Sequence, residues 1–216
     1  MRLFRYLDTT GALLTIEKRA LRVSRLHDLN DPFEWRLGIT NLRNGVEHLA
    51  EAATEAGLRD LSSVFGVICF SAVPDQSVLW SHYADRHRGM VLELEVPDDP
   101  KRTVRINYTD ERPHIEAARI GDTAYIKEQL DRACRQKSTG WTYEQEYRVY
   151  VLLAECEARG GFYYSALQPG ALKRVIIGCR STCDLPYVER ALSSAGYSDT
   201  IAVRASMQNE SYRIKC

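Results

Sequence analysis

The chain of 216 residues has no surplus of either charge: Lys plus Arg number 29, and so do Asp plus Glu. The positive excess of a protein that binds by neutralising phosphates is therefore missing. No apolar run approaches the ~20 residues of a membrane-spanning helix, and Met1 to Asp8 holds no stretch of signal-peptide length, so the expectation is a cytoplasmic protein without membrane contact. The six cysteines, Cys69, Cys134, Cys156, Cys179, Cys183 and Cys216, lack a disulfide-framework rhythm and are expected to stay reduced. Only Cys179 and Cys183 lie close together, with no His or second Cys pair at ligand spacing, so no metal is assigned. His82 and His87 likewise show no ligand spacing. Internal repeats, low-complexity tracts and linkers are absent too, which leaves residues 1–216 as one α+β domain.

What is present alternates between short strands and helices. The pattern predicts a strand over Leu3 to Leu7, a helix capped by Thr9 or Thr10, and a strand over Ala20 to Ser24. Leu26 to Trp35 reads as a loop around Asn30-Asp31-Pro32, since proline lacks a donor and disfavours helix before it. Val46, Leu49, Ala50, Ala53, Leu58 and Leu61 make a helical pattern, and Gly66 leads a strand over Val67 to Phe70. A short helix is expected over Ser77 to Ala84, strands over Met90 to Val96 and Arg102 to Tyr108, and a mostly helical stretch over Ile115 to Lys137. A strand, helix, strand unit closes the chain: Lys173 to Gly178, Leu185 to Ser194 with Gly196 as its stop, and Ile201 to Ala205.

The segment richest in chemistry is Trp141-Thr-Tyr-Glu-Gln-Glu-Tyr-Arg-Val-Tyr-Val151. Residues i and i+2 share a strand face, so Glu144 and Glu146 are expected to point together at the start of a core strand. Such a pair at a sheet end suits carboxylate chemistry. It also suits a plain ion pair, for which Arg148 is the obvious partner.

The chain resembles, over nearly its full length, an uncharacterised bacterial family marked by four motifs. They stand here as Leu29-Asn-Asp-Pro-Phe-Glu34, Cys69-Phe-Ser71, Trp80-Ser-His-Tyr-Ala84 and Tyr143-Glu-Gln-Glu-Tyr-Arg148. Three segments, in order, also look like the motifs of the ADP-ribosyltransferase superfamily, including its poly-ADP-ribose polymerase branch. Leu3-Phe4-Arg5-Tyr6 with the following helix and strand is similar to the opening motif, where Arg5, or Tyr6 if the strand faces the other way, holds the adenosine half of NAD. Gly66 to Ser71 with Ser77 to Tyr83 is similar to the second, and Glu144 to Tyr150 to the third, with the catalytic glutamate at Glu146. Arg5 suits the toxin-like branch and Tyr83 the polymerase-like one, and the Ser-Thr-Ser motif of the toxins is absent.

That resemblance implies a central split β-sheet with flanking helices, and NAD as substrate. It implies that Glu146 steadies the oxocarbenium-like ribose formed as nicotinamide leaves, and that Glu144 orients or deprotonates the acceptor. Arg5 would pair with the pyrophosphate or ribose, Tyr83 would stack on nicotinamide, Ser81 or Ser71 would bond its carboxamide, and Leu29 to Glu34 would cover the site. The acceptor would be a protein or nucleic acid. Toxins and phage-defence effectors of this kind imply an antitoxin or immunity partner. Two other readings stand beside it: a metal-dependent nuclease using Asp31, Glu34, Glu144 and Glu146, and a catalytically silent nucleotide-binding or interaction domain.

Overall fold

A computed structural model describes residues 1–41 and 47–216. The chain opens with β1 (Arg2–Leu7), α1 (Thr9–Lys18) and β2 (Ala20–Arg25). The cap of α1 is Asp8 rather than Thr9 or Thr10. Its backbone is extended and its Oδ1 accepts the Gly11 N–H at 2.6 Å, so a carboxylate takes the role expected of a threonine hydroxyl. Arg19 ends the helix in the left-handed region at φ 51°.

The loop from Leu26 carries a single 3₁₀ turn, Leu26–Asp28, before the unexpected short strand β3 (Gly38–Thr40). Next come α2 (Glu47–Val64), β4 (Phe65–Ser71), α3 (Ser77–Tyr83) and β5 (Met90–Glu95). Val46, at the head of the α2 pattern, lies outside the described residues. Leu58 buries itself against Leu26 and Val67, which ties α2 to the loop before it.

The expected strand at Arg102 to Tyr108 is two strands, β6 (Thr103–Arg105) and β7 (Asn107–Tyr108). The stretch expected to be helical from Ile115 to Lys137 instead holds β8 (His114–Glu116), α4 (Thr123–Arg135) and β9 (Gln136–Lys137). The expected strand beginning at Glu144 starts two residues later, as β10 (Glu146–Leu152). Glu144 ends a 3₁₀ turn and Gln145 turns left-handed at φ 45° and ψ 50°, so the two glutamates do not share a strand face.

After β10 come β11 (Glu157–Arg159) and β12 (Phe162–Ala166), a hairpin turning through Gly160 and Gly161 at positive φ. The strand, helix, strand unit follows as β13 (Leu172–Ile177), α5 (Leu185–Ser194) and β14 (Ile201–Arg204), with β13 and β14 parallel. Gly196 has φ 77° just beyond α5, as expected of a helix stop. A small hairpin, β15 (Ser206–Met207) with β16 (Ile214–Lys215), ends the chain.

The main sheet runs β11-β12-β2-β4-β1-β5-β13-β14, with β10 joined to β4 and β6. One edge of β4 is paired along its length with β10, from Ser71↔Glu146 to Phe65↔Leu152. The other edge meets β2 at Val67↔Ser24 and Gly66↔Arg25, and β1 only at Ser71↔Phe4. The β1, β5, β13, β14 half and the β4, β10 half thus touch through one residue pair and part beyond it. The architecture is α+β.

Alternation along the strands builds two cores. Leu92, Leu94, Val175 and Ile177 face α1 and α5 through Ile16, Val188 and Leu192. Val91 and Ile176, on the opposite face, pack with Tyr6, Leu79 and the fully buried Trp80 beneath α3. Each such aliphatic side chain contributes ~1.5–3 kcal/mol through removal from water. No helix among the described residues is long and apolar enough to cross a membrane.

Candidate functional site

A cavity of about 290 Å³ opens where the two halves of the sheet part. Strand β1 contributes Arg5 and Tyr6 to its lining, β4 contributes Cys69 and Ser71, and β10 contributes Glu146. Tyr83 comes from the last turn of α3, Glu144 from the 3₁₀ turn, Asn30 and Glu34 from the loop after β2, and Lys137 from β9.

Five ionisable side chains beside the cavity are withdrawn from water. Arg148 is 0 % exposed, and Glu34, Glu144, Glu146 and Lys137 are all at 6 % or below. Lys137 Nζ lies 2.9 Å from Glu34 Oε1, 2.7 Å from Glu144 Oε2 and 3.6 Å from Glu146 Oε2. Arg148 holds Glu146 with Nε on Oε1 at 2.7 Å and Nη2 on Oε2 at 2.8 Å, and Nη2 also donates to Glu34 Oε2. Three carboxylates face two cations, so the cluster is one cation short of balance, yet each carboxylate has a cation within 2.9 Å, the pairing that lets buried charges persist.

Local structure explains the meeting. The left-handed Gln145 brings Glu144 to the Lys137 ammonium from one side, while Glu146 reaches it from the start of β10. Strand β9 pairs with β7, setting Lys137 opposite Tyr108, whose hydroxyl accepts the Glu146 backbone N–H at 2.8 Å. The Lys137 ammonium also sits 4.5 Å from the centre of the Trp141 ring.

The environment separates the carboxylates. Burial pushes both Glu34 and Glu146 upward, and the charges of Arg148 and Lys137 oppose it. For Glu146 the cations prevail and hold it below the usual carboxylate range, whereas Glu34 stays above it. Burial is also the largest influence on Lys137, yet Glu146, Glu34 and Glu144 outweigh it and raise the ammonium pKa. Cys69, half-buried beside Glu146, has its thiol pushed well up, first by desolvation and then by that carboxylate, so it is a poor nucleophile.

Above this cluster, Asn30 Nδ2 donates to the Tyr83 hydroxyl at 2.9 Å, and that hydroxyl donates to Glu144 Oε1 at 2.6 Å. Burial first, then Glu144, raises the Tyr83 pKa, so its proton stays in place. Ser71 Oγ donates to the Glu144 carbonyl at 2.7 Å and accepts the Val73 N–H at 3.2 Å. Tyr6 donates to the Val73 carbonyl at 2.8 Å and meets Trp80 edge-on. Arg5 Nη2 donates to the Arg22 carbonyl at 2.8 Å, while its Nη1 is shielded from solvent and bonds to nothing among the described residues. Burial lowers the Arg5 pKa to about 10, which still leaves it charged at neutral pH.

Of the residues singled out in the sequence, Arg5, Tyr6, Ser71, Tyr83, Glu144 and Glu146 line this cavity. Ser81 does not: it is exposed, two residues before Tyr83 on a helix where that spacing turns it to another face. Glu34, expected only within a covering loop or a metal set, is a member of the ion cluster. Lys137 gave no signal, because it follows a helical pattern whose last two residues are in fact strand. The place between Glu34, Glu144 and Glu146 that a nuclease cation would need is filled by Lys137 Nζ.

Residues 79–149 match the model of a family described as protein of unknown function (DUF2971). The matched stretch contains Tyr83, Lys137, Glu144 and Glu146 of the cavity lining, and Arg148 beside it, but not Arg5, Asn30, Glu34, Cys69 or Ser71. No curated protein and no solved structure matches the chain.

Proposed function

We propose that the cavity binds NAD and that the protein is an NAD-consuming ADP-ribosyltransferase acting on a protein or nucleic acid, with water as the acceptor when none is present. The observation that carries this reading is the convergence of Arg5, Tyr83 and Glu146 on one cavity from β1, α3 and β10, which are far apart in the chain.

Each group has a use there. The shielded, unbonded Nη1 of Arg5 supplies a charged donor suited to a phosphate or ribose oxygen. The Tyr83 ring offers an aromatic face for nicotinamide, and its orientation is fixed by Asn30 and Glu144. Glu146, held ionised, faces the positive charge that grows on the ribose as the bond to nicotinamide breaks. At about 4 Å and an effective dielectric near 20 that attraction is worth ~4 kcal/mol, about a thousandfold in rate if confined to the transition state. A volume of about 290 Å³ suits the nicotinamide-ribose end of the dinucleotide, with the adenosine end toward the open mouth.

A second reading, a nucleotide-binding domain that does not transfer, draws on a specific observation: both oxygens of Glu146 are bonded to Arg148. The two readings agree on binding, which is tested by thermal unfolding with and without NAD. At a hundredfold excess over Kd the expected rise in Tm is on the order of 5–10 °C, abolished by Arg5→Gln. An unchanged Tm would remove NAD from the account.

A further inference from the structure

A second cavity, of about 220 Å³, adjoins the first, and Glu34 and Lys137 line both. Its lining includes four carboxylates, Asp31, Glu34, Asp110 and Glu111, against the two cations Arg112 and Lys137. Those cations are committed elsewhere: Lys137 to Glu34 and Glu144, and Arg112 to the Arg36 carbonyl through Nε and Nη2. Asp110 accepts the Thr139 hydroxyl at 2.5 Å.

Two groups in this cavity are left wanting. Asp31 is 5 % exposed and makes no ion pair among the described residues, and its Oδ1 accepts the Phe33 N–H at 2.9 Å. Gln136 has its Oε1 shielded from solvent with no donor among the described residues. A buried carboxylate calls for a cation, and a buried amide oxygen calls for an N–H. At the rim stands Phe33, 60 % exposed, with the Arg112 guanidinium over its ring at 5.3 Å.

We propose that this cavity is a second binding site, taking an organic cation with several N–H donors, a guanidinium or a primary ammonium. Asp31 balances its charge, Gln136 accepts one of its N–H groups, and Phe33 flanks it at the entrance. The proposal does not depend on the reading of the first cavity.

The test is isothermal titration of the full chain with agmatine and with N-acetylarginine amide, which separate a free small cation from the side chain of a protein. One or both bind with a single site. Asp31→Asn, which keeps the turn to Phe33 and removes only the charge, weakens binding by about tenfold or more, and Gln136→Leu does so as well. Ser81→Ala, an exposed position that lines neither cavity, leaves the affinity unchanged. Failure of both probes to bind the wild type overturns the proposal. So does equal binding by folded Asp31→Asn and Gln136→Leu, or an equal loss caused by Ser81→Ala.

Discussion

Arg148 grips Glu146 through two hydrogen bonds from a position two residues along the same strand, Nε to Oε1 at 2.7 Å and Nη2 to Oε2 at 2.8 Å. Residues i and i+2 on a strand face are natural neighbours, so this pair forms locally, and the same guanidinium then reaches Glu34 from the loop after β2. One buried cation therefore ties the sheet to the loop that walls the cavity.

Arg148→Met would leave Glu34 and Glu146 to Lys137 alone. A loss of about 3–5 kcal/mol is expected in urea unfolding, because an uncompensated buried charge costs more than the intact pair contributes. Adding Glu146→Leu to Arg148→Met should recover part of that loss. A single mutant as stable as the wild type would show that the cluster carries no such tension.

Acid should act through Glu146. Its pKa, driven up by burial but held below the ordinary 4.5 by Arg148 and Lys137, marks a pairing whose stabilisation is present above that value. The contribution is lost as pH falls through the lower, folded-state pKa. The stability gap between wild type and Glu146→Gln is thus expected to be constant near neutrality and to close in strong acid. Glu34, with its raised pKa, gives the opposite dependence: the stability associated with its protonated form is lost as pH rises through its folded value. A gap that widens on acidification would contradict the assignment of the depressed carboxylate to Glu146.

Tyr83→Phe removes the donor to Glu144 Oε1 and the acceptor for Asn30 Nδ2 while keeping the ring. A cost of about 1–3 kcal/mol is expected, with NAD protection retained, since the ring is the part assigned to nicotinamide. Loss of protection without loss of stability would move the ligand contact to the hydroxyl.

The two serines should part company. Ser71→Ala breaks a buried link between β4 and the Glu144 turn and is expected to lower stability by about 1 kcal/mol or more, whereas exposed Ser81→Ala should change neither stability nor NAD binding. Thermal melts of the two variants side by side, with and without NAD, check this.

Gly66→Ala tests how closely β4 is approached. An added Cβ would stand 2.3 Å from Val23 Cγ1 and 2.8 Å from Leu153 Cδ2, so a loss of about 1–3 kcal/mol is expected from overpacking. A neutral result in chemical denaturation would mean that β2 and Leu153 can withdraw freely.

Much of the fold was legible because its central strands are short, mostly apolar runs and its helices carry a clear apolar face, as with Met90–Glu95 and Leu185–Ser194. Very short strands were not. Gln136–Lys137 has two residues and follows a helix without a stop signal, so nothing local marked the point where Lys137 leaves the helical path. Glu144 was assigned to a strand because an i, i+2 pair implies one. The left-handed Gln145 breaks that implication, and tertiary pairing with Lys137 brings the carboxylates together by another route. The cavity itself is a product of β1 and β4 meeting at a single residue pair, a relation between distant segments that no short window of sequence carries.

The central claim is that Glu146 stabilises charge on a ribose rather than serving only as the partner of Arg148. Its most direct test is nicotinamide release from NAD by the purified protein, wild type beside Glu146→Gln, with cell lysate or nucleic acid supplied as acceptor. Release by the wild type, reduced about a thousandfold in a folded Glu146→Gln variant, is the predicted result. NAD that binds and is never cleaved, by wild type or variant, would contradict it and leave a nucleotide-binding domain in its place.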